Sequence, residues 1–244
     1  IKQSLGADTA ADQGSIFFQN IVNENTSNPK TFIIHEVMGR HCGWLTAATA
    51  KKYRASLLNK GFNSSVLLHR ESWDIDAIYI PEMKIDLNQE AIRLKHTMHD
   101  KGNVNIFISE GSCQEEILTD MKNNNQEIKK DAFGHVRLDK INPGLWLSNQ
   151  FSSSIGAEKT LVQKSGYFSR SAAPNNFDLD LIKNSAAYAV ECAMNHQSGV
   201  VGLDEDDNDV LSTINFDRIK GGKPFDTNIA WFQEMLQDIG QSHL

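Results

Sequence analysis

The chain has 244 residues, with 31 acidic against 24 basic side chains and a formal charge of −7, which excludes a nucleic-acid binder that works through an overall positive field. Hydrophobic residues make up 40% and charged residues 23%, so neither wholesale disorder nor a collagen-like or coiled-coil rod fits, and the length allows one large domain or two small ones. From the N-terminus, residues 7–22 carry a helical pattern, 31–36 (TFIIHE) an apolar strand and 44–58 a second helix. A short strand at 77–80 (AIYI) precedes a helix whose apolar stripe is Leu87, Ala91, Leu94 and Met98. There follow a strand at 103–109 (NVNIFIS), helices at 114–122 and 146–155, a strand at 160–163 (TLVQ), a helix at 178–194, a strand at 199–202 (GVVG) and a last helix at 228–239. The strands are mostly apolar rather than alternating, as strands covered on both faces must be. The alternating order predicts a doubly wound three-layer α/β/α fold, whose ligands sit beyond the carboxyl ends of the strands. Breaks fall at 27–29, 123–130, 172–176 and 204–209, each too short for a true linker.

Ile1 opens the chain inside what reads as a structured region, so a piece of a longer polypeptide is expected. No stretch approaches the ~18 consecutive apolar residues that cross a bilayer. Cys42, Cys113 and Cys192 stand far apart without a CxxC pair, which argues against a disulfide framework or thiolate zinc site and for a reduced, cytoplasmic setting. The acidic run 204–209 lacks the glycine and terminal glutamate of an EF-hand and reads as a solvated turn rather than a metal site. His35 and Glu36 are followed by His41, six residues after the first histidine, whereas HExxH needs four so that both rings share a helical face. His35, in a buried strand, reads as a satisfied interior histidine.

Neither GxxxxGK[ST] nor GxGxxG occurs. Three loops at strand ends carry the chemistry instead. In the first, Gly39 admits a ligand close to the backbone and Arg40 offers a planar fork of donors suited to a phosphoryl group. In the second, Glu110 can accept from sugar hydroxyls or act as a base. In the third, Tyr167 and Arg170 are three apart and can donate to one phosphate. Together these are the groups of a sugar-phosphate pocket.

At these residues the sequence resembles the phosphofructokinase family, and within it the pyrophosphate-dependent branch. The matching runs are SLGADTA (4–10), HEVMGRHCGWLTA (35–47), ISEG (108–111), AEKTLVQKSGYFSRSAA (157–173), AVECA (189–193), SGVVG (198–202) and RIKGGKPFDT (218–227). Tyr167 stands where ATP-dependent relatives typically carry histidine, which favours the pyrophosphate branch. The resemblance implies transfer of a phosphoryl group from pyrophosphate to O1 of fructose 6-phosphate, reversibly, in glycolysis and gluconeogenesis. It implies that Met38, Gly39 and Arg40 contact fructose 6-phosphate and that Arg40 also stabilises charge on the phosphoryl group in transfer. Glu110 would accept from the sugar hydroxyls, and Tyr167, Phe168, Ser169 and Arg170 would hold the 6-phosphate. Lys164 and Lys183 would lie close enough to help neutralise phosphate, or serve only as surface lysines.

The family's glycine-rich donor loop, its GGD magnesium motif and the TxDND segment with the catalytic base do not occur, so the Mg²⁺ site and the base are expected outside this chain, and the segment alone is expected to be inactive. The resemblance further implies a homo-oligomer and three stretches: a sugar-phosphate domain over 1–168, a return to the donor-binding domain over 169–213, and a segment over 214–244 that comes back. Two alternatives remain open at this point: an ATP-dependent 6-phosphofructokinase, and a non-catalytic sugar-phosphate-binding regulatory subunit.

Overall fold

The computed structural model describes residues 2–63, 65, 68–125, 128, 142–219 and 221–241. The predicted break at 123–130 falls partly outside the described residues. Four parallel strands form the central sheet: β1 (Thr31–Val37), β2 (Ala77–Tyr79), β3 (Asn103–Ser109) and β4 (Lys159–Lys164), in the spatial order β2-β3-β1-β4. Every residue of β1, β2 and β3 is buried, which is why these runs are mostly apolar rather than alternating.

Successive side chains leave the sheet on opposite faces. Ile33, Val37, Ile78 and Phe107 point to one face, where they pack with Phe18 of α1 (Ala7–Ile21), Ala47, Tyr53 and Leu57 of α2 (Trp44–Leu58), and Phe232 and Leu236 of α8 (Ala230–Asp238). Phe32, Ile34, Tyr79, Val104, Ile106 and Ile108 point to the other, against Leu94 and Met98 of α3 (Leu87–Lys101) and Leu147 and Phe151 of α5 (Pro143–Phe151). The result is the three-layer α/β/α arrangement that the apolar strands predict. The stripe on α3 forms a helix because Asp86 caps it, accepting from the Asn88 and Gln89 N–H groups, and Gly102 at φ 78 ends it. At the outer edge of the sheet, the buried Gln241 side chain takes the place of a neighbouring strand: its Oε1 accepts from the Ile78 N–H at 2.8 Å and its Nε2 donates to the Ile78 carbonyl at 3.1 Å.

Two stretches differ from the sequence prediction. The strand expected at 199–202 does not join the parallel sheet; β5 (Val200–Asp204) pairs antiparallel with β6 (Val210–Ile214) in a separate ribbon beside α7 (Asn176–Met194). The third predicted loop is one helical turn, α6 (Gly166–Arg170), and the remaining helix, α4 (Gln114–Asn123), follows β3.

The acidic run is the turn of the ribbon. Asp204 takes a two-pronged contact from Arg218 at 2.7 and 2.6 Å, which holds its carboxyl below the usual range, and Lys2 reaches Asp209 at 3.3 Å. Both of these carboxylates are met by cationic side chains.

Candidate functional site

The chain leaving β1 turns to the α2 face, and the chain leaving the adjacent β3 enters α4, which packs with α5 on the other. Neighbouring strands whose connections diverge in this way open a crevice at their carboxyl ends. Here the two strand-end loops meet. The Glu110 N–H donates to the Val37 carbonyl at 2.9 Å, the Ser109 hydroxyl to the Gly39 carbonyl, and Gln114 Nε2 to the Arg40 carbonyl at 3.4 Å. This closeness dictates two glycines. A Cβ on Gly39, whose φ is 145, would lie 2.6 Å from the Cys42 carbonyl oxygen and 2.7 Å from Ser109 Oγ. One on Gly111 would lie 2.0 Å from the Arg40 carbonyl oxygen. With the backbone thus fixed, the Arg40 side chain stands exposed at the head of β1, and Glu110 is half-buried beside it at the head of β3.

The third element joins on the opposite side of β1. The Ser165 N–H donates to the Glu36 carbonyl at 3.2 Å, and Met38 lies beside Gly166, where a Cβ would come 3.3 Å from its Cγ. Because α6 is helical, residues three apart share a face: the Arg170 guanidinium lies over the Tyr167 ring, 4.7 Å from its centroid. Tyr167 is 85% exposed, so both donors face open space. Ser169 is buried, with its N–H donating to the Ser165 carbonyl at 2.8 Å, and Phe168 packs on Phe17 with ring centroids 5.6 Å apart. Met38, Gly39, Arg40, Glu110 and the 167–170 turn therefore lie on three adjacent strand ends.

Lys164 is not free for phosphate. It forms an ion pair with Glu36 at 2.7 Å, and the same buried carboxylate accepts from the Gly144 N–H at 3.1 Å. An uncompensated carboxylate inside the sheet would be costly, so this lysine answers Glu36 first. Lys183 is exposed on α7. His35 is buried as predicted but only half satisfied: its Nε2 meets Ser165 Oγ at 2.8 Å, while Nδ1 has no partner.

Beside Arg40 opens a cleft of about 360 Å³, lined also by His41, Glu82, Lys84 and Gln114. The sequence prediction did not single out Glu82, although it follows the buried strand 77–80 and so lies at a strand's carboxyl end like the other three loops. Its carboxylate accepts from the Gly43 N–H at 3.0 Å and the Phe225 N–H at 2.8 Å, tying the first turn of α2 and the C-terminal segment to the end of β2. At the mouth of the cleft, burial pushes the Cys113 thiol up to about 12, with Glu116 adding to the effect, so it stays protonated and is no nucleophile. Among the described residues no group of three or more His, Cys, Asp or Glu could hold a metal ion.

The family described as phosphofructokinase matches residues 1–193 of the chain. A Methylomonas methanica protein named pyrophosphate–fructose 6-phosphate 1-phosphotransferase is 55% identical over 241 residues, covering 99% of this chain and 59% of that protein. A Mastigamoeba balamuthi protein of the same name is 50% identical over 241 residues, with the same coverage. The chain thus spans 59% of the length of these curated relatives. Among solved structures, a pyrophosphate-dependent phosphofructokinase from Nitrosospira multiformis aligns with a TM-score of 0.59 at 15% identity, over 98% of this chain and 55% of that one. One from Marinobacter aquaeolei aligns with a TM-score of 0.56 at 18% identity, with the same coverage. At these identities the structural likeness speaks for the fold.

Proposed function

The chain belongs to the phosphofructokinase family, and from that membership we propose that it supplies the sugar-phosphate site of a pyrophosphate-dependent phosphofructokinase. The reaction is transfer of a phosphoryl group from pyrophosphate to O1 of fructose 6-phosphate, reversible in glycolysis and gluconeogenesis. The observation that carries this reading is the meeting of three strand-end elements, bearing Arg40, Glu110 and the Tyr167–Arg170 pair, at one end of a parallel sheet. The names of the relatives at 50–55% identity support pyrophosphate as the donor.

In this reading Met38 and Gly39 line the sugar, and Glu110 accepts from its hydroxyls. Tyr167 and Arg170 donate to the 6-phosphate, while Phe168 and Ser169 hold their turn against the body of the protein. Arg40 also stabilises the charge that develops on the transferred phosphoryl group. Mg²⁺ belongs to the family chemistry, but the described residues offer no ligand set for it. In this reading the metal, the donor and the base are assigned to residues outside 1–244.

We assign 1–168 to the sugar-phosphate domain, 169–213 to a return toward the donor-binding domain and 214–244 to the segment that comes back. The reading includes a homo-oligomer and a cytoplasmic setting. The latter is supported by the free thiols of Cys42, Cys113 and Cys192. Among the described residues no helix is long and apolar enough to cross a membrane.

The test is fructose 6-phosphate binding by the full-length gene product, measured calorimetrically. Arg40→Ala and Arg170→Ala should each weaken affinity by about tenfold or more, since each removes a charge-assisted contact. An unchanged affinity in Arg40→Ala would overturn the site assignment.

A further inference from the structure

Directly beneath α6 lie two buried polar groups that the site reading leaves without a task. The His35 ring is fully enclosed, stacked on Phe18 (centroids 5.5 Å apart, planes at 11°) and met edge-on by Phe107 (4.7 Å, 83°). Its Nε2 reaches Ser165 Oγ at 2.8 Å. Ser165, equally buried, is the residue from which α6 springs: its carbonyl accepts from the Ser169 N–H, and its own N–H is spent on the Glu36 carbonyl. One hydroxyl therefore ties the start of the Tyr167–Arg170 turn to the middle of the central sheet. Phe17 adds a second tie, packing on both His35 (5.5 Å) and Phe168 (5.6 Å).

The proton's place on the ring follows from the unpartnered Nδ1. A buried N–H without an acceptor is rarer and more costly than a bare acceptor lone pair. This favours the tautomer with the proton on Nε2, donated to Ser165 Oγ. Burial holds the His35 pKa down at about 3, so the ring stays neutral and keeps this tautomer at neutral pH.

We propose that His35 and Ser165 are positioning residues for phosphate recognition: the imidazole holds the Ser165 hydroxyl, Ser165 sets the start of α6, and α6 presents Tyr167 and Arg170 together to one phosphate. The proposal rests on the reading that these two side chains receive the 6-phosphate. Neither His35 nor Ser165 touches the ligand; both act by fixing in advance the groups that do.

Steady-state kinetics of the full-length gene product test this with three variants. His35→Phe keeps the aromatic packing and removes the donor, His35→Gln keeps an N–H near the Nε2 position, and Ser165→Ala removes the acceptor. His35→Phe and Ser165→Ala should each raise the KM for fructose 6-phosphate roughly fivefold to tenfold, as expected for one lost hydrogen bond, with kcat within about twofold. The double variant should be no worse than either single one, and His35→Gln should recover most of the loss. The KM for pyrophosphate should not move, and ¹⁵N NMR should show His35 protonated on Nε2.

A wild-type fructose 6-phosphate KM in both His35→Phe and Ser165→Ala, strictly additive losses in the double variant, or a proton on Nδ1 would each overturn the proposal. If His35→Phe does not fold, Ser165→Ala and the NMR tautomer decide the question. Arg170→Ala serves as the control. If it raises KM while the His35 and Ser165 variants do not, the positioning role alone falls. If Arg170→Ala itself leaves KM unchanged, the phosphate reading falls and takes the positioning role with it.

Discussion

His35 is held neutral by burial, with a pKa of about 3 against an ordinary 6.5, and that difference is a statement about stability. Between those two values the unfolded chain binds a proton at this position and the folded chain does not, so the fold loses stability as the pH falls. The loss is at most about 1.4 kcal/mol per pH unit for one such group. His35→Phe removes the group and with it this slope. Urea unfolding at about pH 7 and about pH 5.5 should show wild type losing about 1 kcal/mol more than His35→Phe across that interval. Identical losses would contradict the assignment of a buried, neutral ring. At the same scale, a strand residue close to a strand-end loop was readable as interior from its apolar neighbours. Its bond to Ser165 was not, because 130 positions of sequence separate the two and only the β1–β4 pairing brings them together.

Between elements, the entry to α1 shows how a distant side chain can supply a missing cap. Gly6, at φ 80, stands at the N-cap and has no side chain to offer the free N–H groups of the first turn. The fully buried Asp178 of α7 takes their place, accepting from the Gly6 N–H at 2.9 Å, the Thr9 N–H at 2.7 Å and the Thr9 hydroxyl at 2.5 Å. Asp178→Ala should cost about 3 kcal/mol, because three donors, two of them buried, lose their acceptor at once, and Asp178→Asn less, since it keeps one carbonyl oxygen. Denaturant midpoints measure both; an Ala variant within about 0.5 kcal/mol of wild type would show that the contact carries no such weight. Neither glycine nor aspartate announces this in the sequence, where 172 positions separate them. The strands β1, β2 and β3 were legible because burial on both faces demands apolar runs. β6 was not, since it sits in a two-stranded ribbon with Val210 51% exposed, and the acidic residues before it masked the turn. That turn ends in Asn208 and Asp209, both at positive φ, the residue types that tolerate it and the cue that could have revealed the ribbon. The 166–170 segment follows β4 as a single helical turn, where a loop was expected. Five residues with glycine at their head carry too little periodicity to declare a helix.

Across the whole molecule, the central sheet is covered on both faces while α7 is not. Leu179, Ile182, Val190 and Met194 recur along one side of that helix at helical spacing, and each is exposed, Met194 by 77% and Val190 by 62%. Apolar area of this kind in water promotes association. Sedimentation velocity on residues 1–244 should therefore show concentration-dependent self-association, diminished by Val190→Glu; a single monomeric species at all concentrations would contradict the expectation. The site end of the molecule makes the larger claim, that three strand-end elements form the sugar-phosphate pocket of a pyrophosphate-using enzyme. The most direct measurement is phosphoryl transfer by the full-length gene product, given Mg²⁺ and fructose 6-phosphate with pyrophosphate or with ATP in separate reactions. The proposed function predicts fructose 1,6-bisphosphate with pyrophosphate and none with ATP. Turnover with ATP alone, or binding of fructose 6-phosphate without turnover from either donor, would contradict it.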